Sequence, residues 1–363
     1  MKNTFGNSIS VTLFGESHGE EIGATLDGIA PGIKIDYDFI EKKLAERRPK
    51  DSLSTSRREP DKFRIISGAY NGYTTGTPLT ILIKNENVKS SDYDTLRDTP
   101  RPSHADFSAE CKYHGFQDTR GGGHFSGRIT APLVAVGAIL LSALNNKGIK
   151  IGTHISSLHG ISDREFGNYE ADIELLSGKD FPALSEKSEE IMKNEILTAR
   201  NMGDSVGGVL ESAIIGVPQG VGEVWFDSVE SVISHILFSV GGIKGVEFGR
   251  GFEIANLFGS EANDELRTDG KTVYTTTNNN GGIVGGITNG MPIIVRSAVK
   301  PTPSIYKNQK TVKLSTMENT EIKIEGRHDP AIIHRVKSVV DATLAIAVAD
   351  MLALRYGTDY LKG

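Results

Sequence analysis

The chain has 363 residues, of which 38% are hydrophobic and 24% charged, as in an ordinary water-soluble globular protein. Its formal net charge of −6 argues against a protein that binds nucleic acid over a broad surface. The single cysteine, Cys111, excludes an internal disulfide and is typical of a reducing compartment. We find no signal-peptide pattern and no apolar run of membrane-spanning length, so we expect a cytoplasmic protein that is not bound to a membrane.

The first predicted element is a strand that ends in a polar turn. Ile9, Val11 and Leu13 alternate with polar neighbours, which predicts a strand. The turn Gly15-Glu16-Ser17-His18-Gly19 follows and combines a carboxylate, a hydroxyl and an imidazole. Catalytic groups often lie in such a turn at a strand end. We therefore favour a functional His18 over a solvated turn histidine.

A basic segment follows the next predicted element, a helix from the N-cap Asp36 to about Arg47. Its cationic residues are Arg47, Arg48, Lys50, Arg57, Arg58, Lys62 and Arg64. A charge run usually forms a solvated face, but this one lies in an acidic protein. It is also rich in serine and in arginine, the bidentate partner of phosphate and carboxylate. We interpret it as a binding loop for a small polyanion.

The stretch 101–139 combines a high density of charged and polar residues with a run of glycines. It reads Arg101-Pro102-Ser103-His104-Ala105-Asp106, and later Arg120-Gly121-Gly122-Gly123-His124-Phe125-Ser126-Gly127-Arg128. An apolar helix follows, for which Thr130 is the predicted cap. A glycine loop that leads into a helix N-terminus is a general anion site. The alternative is a plain loop before a core helix, and the polar residues favour the ligand site.

The rest of the chain mixes strands and helices without strict alternation. We predict strands at 64–67, 79–83, 149–155, 207–215, 246–258, 293–299 and 321–324, and helices at 189–202 and 228–238. A last helix should begin with Asp329 as N-cap and Pro330 as first residue, with one apolar stripe from Ile332 to Met351. Because no linker is visible, we favour one α+β domain of stacked layers, 1–363, over a doubly wound parallel sheet.

Several standard catalytic patterns are absent from the sequence. It has no G-x-x-x-x-G-K-[ST] loop, no G-x-G-x-x-G at a strand–helix junction, no H-E-x-x-H and no G-x-S-x-G elbow. The histidines also lack the helical spacing of a typical zinc site, so we expect no metal. Histidines in glycine turns with many arginines suit a phosphorylated carboxylic acid and a flat cofactor, with imidazoles as proton donors.

Six motifs, in this order and spacing, resemble the chorismate synthase family from about residue 5 to 355. They are Gly15-Glu16-Ser17-His18-Gly19, Arg57-Arg58-Glu59-Pro60-Asp61, Arg101-Pro102-Ser103-His104-Ala105-Asp106, Arg120-Gly121-Gly122-Gly123, Gly245-Val246-Glu247 and Gly326-Arg327-His328-Asp329-Pro330. The resemblance implies a layered β-α-β sandwich, usually a homotetramer with FMN sites near subunit contacts. It implies a lyase that requires reduced FMN (FMNH2) and converts 5-enolpyruvylshikimate 3-phosphate to chorismate by anti-1,4-elimination of phosphate.

The resemblance also implies roles for individual residues. His18 matches the histidine that protonates the leaving phosphate, His104 the one that keeps the reduced flavin monoanionic, and Asp329 the aspartate that acts in removing the substrate hydrogen. The implied substrate contacts are Arg47, Arg48, Arg57, Arg128 and Arg327. The implied flavin contacts are Arg47, His124, Phe125, Ser126, Gly241, Gly242, Gly285, Lys300, Pro301, Thr302, Pro303, Ser304 and Arg327.

Two other functions remain open from the sequence. One is an oxidoreductase that reduces its own FMN with a nicotinamide nucleotide (NADPH), and the other is a non-enzymatic anion- or flavin-binding protein. Because no dinucleotide motif is present, we expect a separate flavin reductase to supply the reduced cofactor.

Overall fold

Two five-stranded antiparallel sheets enclose a layer of helices in the computed structural model, which describes residues 2–49, 53–54, 59–86, 97–324, 326 and 328–362. The strands are β1 (Thr4–Phe5), β2 (Ser10–Gly15), β3 (Glu21–Asp27), β4 (Phe63–Ser67), β5 (Ala69–Tyr70), β6 (Tyr73–Thr74), β7 (Leu79–Lys84), β8 (Lys150–Leu158), β9 (Ile161–Ser162), β10 (Gly208–Ile215), β11 (Ile243–Phe248), β12 (Leu266–Thr268), β13 (Val273–Thr275), β14 (Ile283–Val284), β15 (Ile287–Thr288), β16 (Ile293–Val299), β17 (Gln309–Lys313) and β18 (Glu318–Ile322). The helices are α1 (Tyr37–Arg47), α2 (Asp106–Tyr113), α3 (Thr130–Asn146), α4 (Tyr169–Leu176), α5 (Glu186–Asn201), α6 (Val229–Ser239), α7 (Gly259–Ala262) and α8 (Ile333–Tyr356). This layered arrangement confirms the predicted α+β sandwich.

The two sheets have similar topologies and share one core. The first has the strand order β1-β2-β3-β7-β4, and the second β11-β16-β10-β8-β9. Helix α3 packs on the first sheet, α8 packs on the second, and the two helices pack on each other. A single apolar cluster runs through all three layers.

The contact between α3 and α8 requires a small residue. A Cβ added to Gly137 of α3 would lie 2.5 Å from the Cβ of Ala342 on α8. The close approach explains why α8 is buried on nearly every side from Ile333 to Ala353. The single apolar stripe predicted for this helix is therefore wrong, because both neighbouring layers cover it.

Helix α3, with the turn before it, also meets the length and apolarity of a membrane span. Of the apolar window within Gly127–Asn146, 83% is buried inside the protein. Its apolar character therefore reflects a position between two sheets.

Two predicted helix starts differ from the structure. Helix α8 begins at Ile333, and no side chain caps it, so the prediction of Asp329 as N-cap is wrong. Helix α3 begins at Thr130 itself, after a short 3-10 turn over Gly127–Ile129 that Ser126 caps. By contrast, Asp36 caps α1 as predicted, since its carboxylate accepts from the Phe39 amide at 2.9 Å.

Candidate active site

A cavity of about 1000 Å³ lies where the helical layer meets the loops around 101–106, 119–128 and 239–244. Its cationic lining consists of Lys2, Arg47, Arg48, Arg97, Arg101, Arg128, Lys244, Lys300 and Arg335. Phe5, Phe125 and Phe238 add aromatic surface to the same walls. A large concave site with converging polar groups and an aromatic lining is typical of a small-molecule binding site.

Three of these arginines converge on one buried carboxylate, Asp61, which is 1% exposed. Arg47 donates to its Oδ2 at 3.1 Å, the Nε of Arg48 lies 3.6 Å from the same oxygen, and Arg128 donates to Oδ1. Burial, opposed by the charge of Asp61, lowers the pKa of Arg47. One carboxylate therefore orients three cations and leaves a net positive charge for an anionic guest.

Asn85 connects this cluster to the turn that carries His18. Its amide nitrogen donates to the carbonyl oxygens of Glu16 and Gly19, at 3.0 and 2.8 Å. Its amide oxygen accepts from the Nε of Arg128 at 3.0 Å. Asn85, the residue that follows β7, thus holds in place the polar turn predicted at the end of β2.

His18 is 5% exposed and lies directly behind the glycine loop, so it is not among the residues that line the cavity. All three loop glycines have positive φ, with Gly121 at 59°, and a Cβ at Gly121 would lie 2.0 Å from Cε1 of His18. The Nδ1 of His18 is 3.1 Å from Oγ of Ser17, whose hydroxyl donates to the carbonyls of residues 120 and 121. Because that single hydroxyl proton is used, Nδ1–H donates to Oγ and Nε2 of the neutral ring is unprotonated, so His18 can give up a proton from Nε2 only in its doubly protonated, imidazolium form.

His104 lines the cavity and has partners at both ring nitrogens. Its Nδ1 donates to the Pro102 carbonyl at 3.0 Å, and its Nε2 accepts from the Ser304 hydroxyl at 2.9 Å. Burial and the charge of Arg101 lower the pKa of His104 to about 4. The imidazole is therefore neutral at pH 7 until a nearby anion favours its charged form.

Asp329 also faces this cavity and forms an ion pair with Arg335 of α8. The pair takes the place of the helix cap predicted for Asp329. It fixes the carboxylate through a charge-assisted hydrogen bond at the start of α8.

The predicted flavin contacts Gly241, Gly242 and Lys300 also line the cavity. A Cβ at Gly241 would meet nothing within 4 Å, so the backbone there is open to a ligand. The Lys300 amide donates to the Gly242 carbonyl at 2.9 Å, and its ammonium donates to the Ser103 carbonyl at 2.7 Å. Burial and the neighbouring Lys244 lower the pKa of Lys300.

The remaining residues of the prediction fall into three groups. His124, Phe125, Ser126, Pro301 and Pro303 line the cavity, and the Nδ1 of His124 is 2.8 Å from the Gly15 carbonyl. Thr302 and Ser304 do not line it, and Gly285 is an exposed residue in the β14–β15 turn. Arg57, Arg58 and Arg327 lie outside the described residues.

Sequence reasoning missed four residues at this site: Asp61, Asn85, His235 and Arg335. In the sequence, Asp61 belongs to the motif that ends in Pro60-Asp61, and none of the six motifs includes Asn85. His235 of α6 lines the cavity with its ring edge-on to Phe5, at 5.3 Å between centroids. Among the described residues, no group of three or more His, Cys, Asp or Glu side chains is arranged to hold a metal ion.

Comparison with known proteins shows the family to which the chain belongs. A family model described as chorismate synthase matches residues 9–353. The chain is 45% identical over 351 residues to a chorismate synthase of Pyrococcus abyssi, which covers 96% of this chain and 97% of the relative. It is 43% identical to one from Methanosarcina barkeri, over 98% of this chain and 97% of the relative. A solved structure titled "Crystal Structure of Chorismate Synthase" superposes with a TM-score of 0.77 at 30% identity, over 97% of this chain and 94% of the other.

Proposed function

The chain belongs to the chorismate synthase family, and we propose that the cavity lined by His104 and Asp329 is where its reaction takes place. The chain is thus a carbon–oxygen lyase that eliminates phosphate from 5-enolpyruvylshikimate 3-phosphate to give chorismate, on the route to aromatic amino acids. The observation that carries our proposal is the convergence of three arginines on Asp61 in the wall of the same cavity.

The cationic lining suits this substrate. One phosphate and two carboxylates bring about four negative charges at neutral pH. Desolvating such a group is expensive unless fixed cations replace its water. We propose that Arg47, Arg48 and Arg128 bind these anionic groups. Arg57 and Arg327, outside the described residues, remain predicted contacts.

The cavity also fits a reduced FMN. It has open backbone at Gly241, aromatic surface from Phe125, and a cation, Lys300, at its wall. In addition, Nε of Arg47 and Nε of Arg335 are buried without a hydrogen-bond partner, as expected of donors that await an anionic ligand. We propose that FMN is held by Arg47, His104, residues 124–126, residues 241–242, Lys300, Pro301 and Pro303, with Thr302 and Ser304 as predicted contacts that do not line the cavity. When bound, the reduced cofactor would supply electron density to the elimination. Gly285 stays a predicted contact that would come from a neighbouring subunit.

Three side chains have proposed roles in moving protons. His18, in its imidazolium form, donates a proton from Nε2 to the leaving phosphate and becomes the neutral ring with Nδ1–H on Ser17, a form of general acid catalysis typically worth roughly 10²–10⁴-fold in rate. Asp329, oriented by Arg335, accepts the ring hydrogen that the elimination removes. His104 is neutral in the unliganded site and gains a proton as negative charge enters, which balances the charge of the bound cofactor.

We further propose that the enzyme is a homotetramer and receives reduced FMN from a separate reductase. Trp225 and Phe226 are 84% and 91% exposed on one turn, which supports burial of this surface in an assembly. Analytical ultracentrifugation would test the assembly, and NADPH oxidation by the purified protein with FMN would test the source of electrons.

Release of phosphate under anaerobic conditions tests the proposed site. With dithionite-reduced FMN and substrate, we expect turnover by the wild type and at least a hundredfold loss in His104→Ala. Leu175→Ala, an exposed residue on α4 outside the cavity lining, serves as the control. Near-wild-type turnover by His104→Ala would contradict the role of that histidine.

A further inference from the structure

Asn85 makes a set of contacts that only an amide can make. It is 8% exposed, donates to two carbonyls of the His18 turn and accepts from Arg128. Its own backbone amide donates to the Glu20 carbonyl at 3.1 Å, so the residue is fixed at both ends. A carboxylate could not donate these two bonds, and a hydroxyl could not make all three.

Arg128 is in turn part of the cluster that we assign to substrate. Beyond Asn85 it donates to Asp61 and, at 3.1 Å, to the Lys84 carbonyl. Each nitrogen of this guanidinium therefore has one fixed protein partner, which leaves two of its five N–H groups for an anion. A single uncharged side chain thus joins the turn of the proposed proton donor to the arginines that bind the leaving group.

We propose that Asn85 is a positioning residue for the elimination, which sets the distance between His18 and the phosphate held by Arg128. The inference rests on the roles proposed for those two residues. An acid catalyst requires hydrogen-bond contact with the atom it protonates, and a displacement of about 1 Å can cost on the order of 10²-fold in rate. Because the amide carries no charge, it provides this link without competing with the substrate for the cations.

The chain offers a matched control for a variant of Asn85. Asn279 is also 8% exposed, and its amide nitrogen donates to two backbone carbonyls, of Glu261 and Ala262, both at 3.2 Å. Its amide oxygen accepts from the Nε of Arg250 at 3.2 Å, but it does not line the cavity. Asn279→Ala therefore removes the same three contacts elsewhere in the fold.

A double-mutant cycle with His18 tests the proposal. We expect Asn85→Ala to lower kcat by about 10²-fold in the wild-type background, because a misplaced acid loses most of its effect. In the His18→Ala background the same change should lower kcat by less than about threefold, since no acid remains to be positioned. Asn279→Ala should stay within about twofold of its parent in both backgrounds.

Each other outcome of the cycle overturns the proposal. An equal loss from Asn85→Ala in both backgrounds would show a purely structural role, with the His18 assignment intact. Full turnover by His18→Ala alone would remove the role of His18, and the inference with it. Should Asn85→Ala not fold, Asn85→Ser, which keeps one donor, takes its place in the same cycle with the same criteria.

Discussion

Replacing Gly121 with alanine should displace the His18 ring, and its effect on turnover can be measured separately from its effect on the stability of the fold. The new Cβ would lie 2.0 Å from Cε1 and 2.2 Å from Nδ1 of His18. Carbon atoms pack at roughly 3.5–4.0 Å, so the ring must retreat by about 1.5 Å. A displacement of that size predicts a loss in kcat on the order of 10²-fold, through misplacement of the proposed acid.

The backbone cost of this change can be measured separately. Gly121 has a φ of 59°, and alanine there costs about 1–2 kcal/mol of unfolding free energy. Gly72, in the β5–β6 turn, has a φ of 79° and nothing within 4 Å of an added Cβ, so Gly72→Ala carries the same cost without a clash.

Anaerobic phosphate release and urea unfolding would be measured on both variants. We expect Gly121→Ala to lose more stability than Gly72→Ala, by the about 1–3 kcal/mol that the clash adds to the backbone cost, and to be the only one of the two that loses turnover. If Gly121→Ala turns over within about threefold of Gly72→Ala, the proposed role of His18 behind the glycine loop is wrong.

Three further predictions follow from other contacts. Asp329→Asn should lower turnover by orders of magnitude and should also lower the melting temperature, because the change weakens the ion pair with Arg335; full activity would show that Asp329 has only a structural role. His334 is buried, and burial lowers its pKa to about 3, so the unfolded chain binds more protons than the folded one between pH 6.5 and about 3. Unfolding free energy should therefore fall as pH drops through that window, and His334→Gln should flatten the curve measured by urea unfolding; an unchanged curve would contradict this. The buried carboxylate of Asp350 accepts hydrogen bonds from the amides of residues 7–9. Asp350→Asn replaces it with an amide and should lower the free energy of unfolding by roughly 2–3 kcal/mol in the same assay, whereas a loss below about 0.5 kcal/mol would contradict this.

Much of the fold could be predicted because local patterns agreed with the tertiary structure. Asp36 caps its helix, and the strand predicted at 293–299 is β16. The start of α8 was mispredicted for a physical reason. The Asp-Pro pair satisfies the local rule for a cap, but Asp329 instead pairs with Arg335. A tertiary ion pair thus overrides a local preference at a residue that we assign to catalysis.

The candidate site was only partly predictable for a different reason. Arg128 stands out in the sequence because it follows Gly127, and His104 because it lies between Arg101 and Asp106. Asp61 and Asn85 act through contacts with residues 13 to 69 positions away, which no spacing rule encodes. Their importance comes from burial and from the number of partners, and both depend on the assembled sheets.

The central claim is that the protein eliminates phosphate from its substrate in this cavity, and that the reaction requires reduced flavin but causes no net oxidation of it. Purified protein, dithionite-reduced FMN and 5-enolpyruvylshikimate 3-phosphate should be mixed anaerobically, with chorismate, phosphate and flavin absorbance followed together. We predict chorismate and phosphate in equal amounts over many turnovers, with the flavin still reduced at the end. Flavin binding without phosphate release, or one flavin oxidised per product formed, would contradict the account.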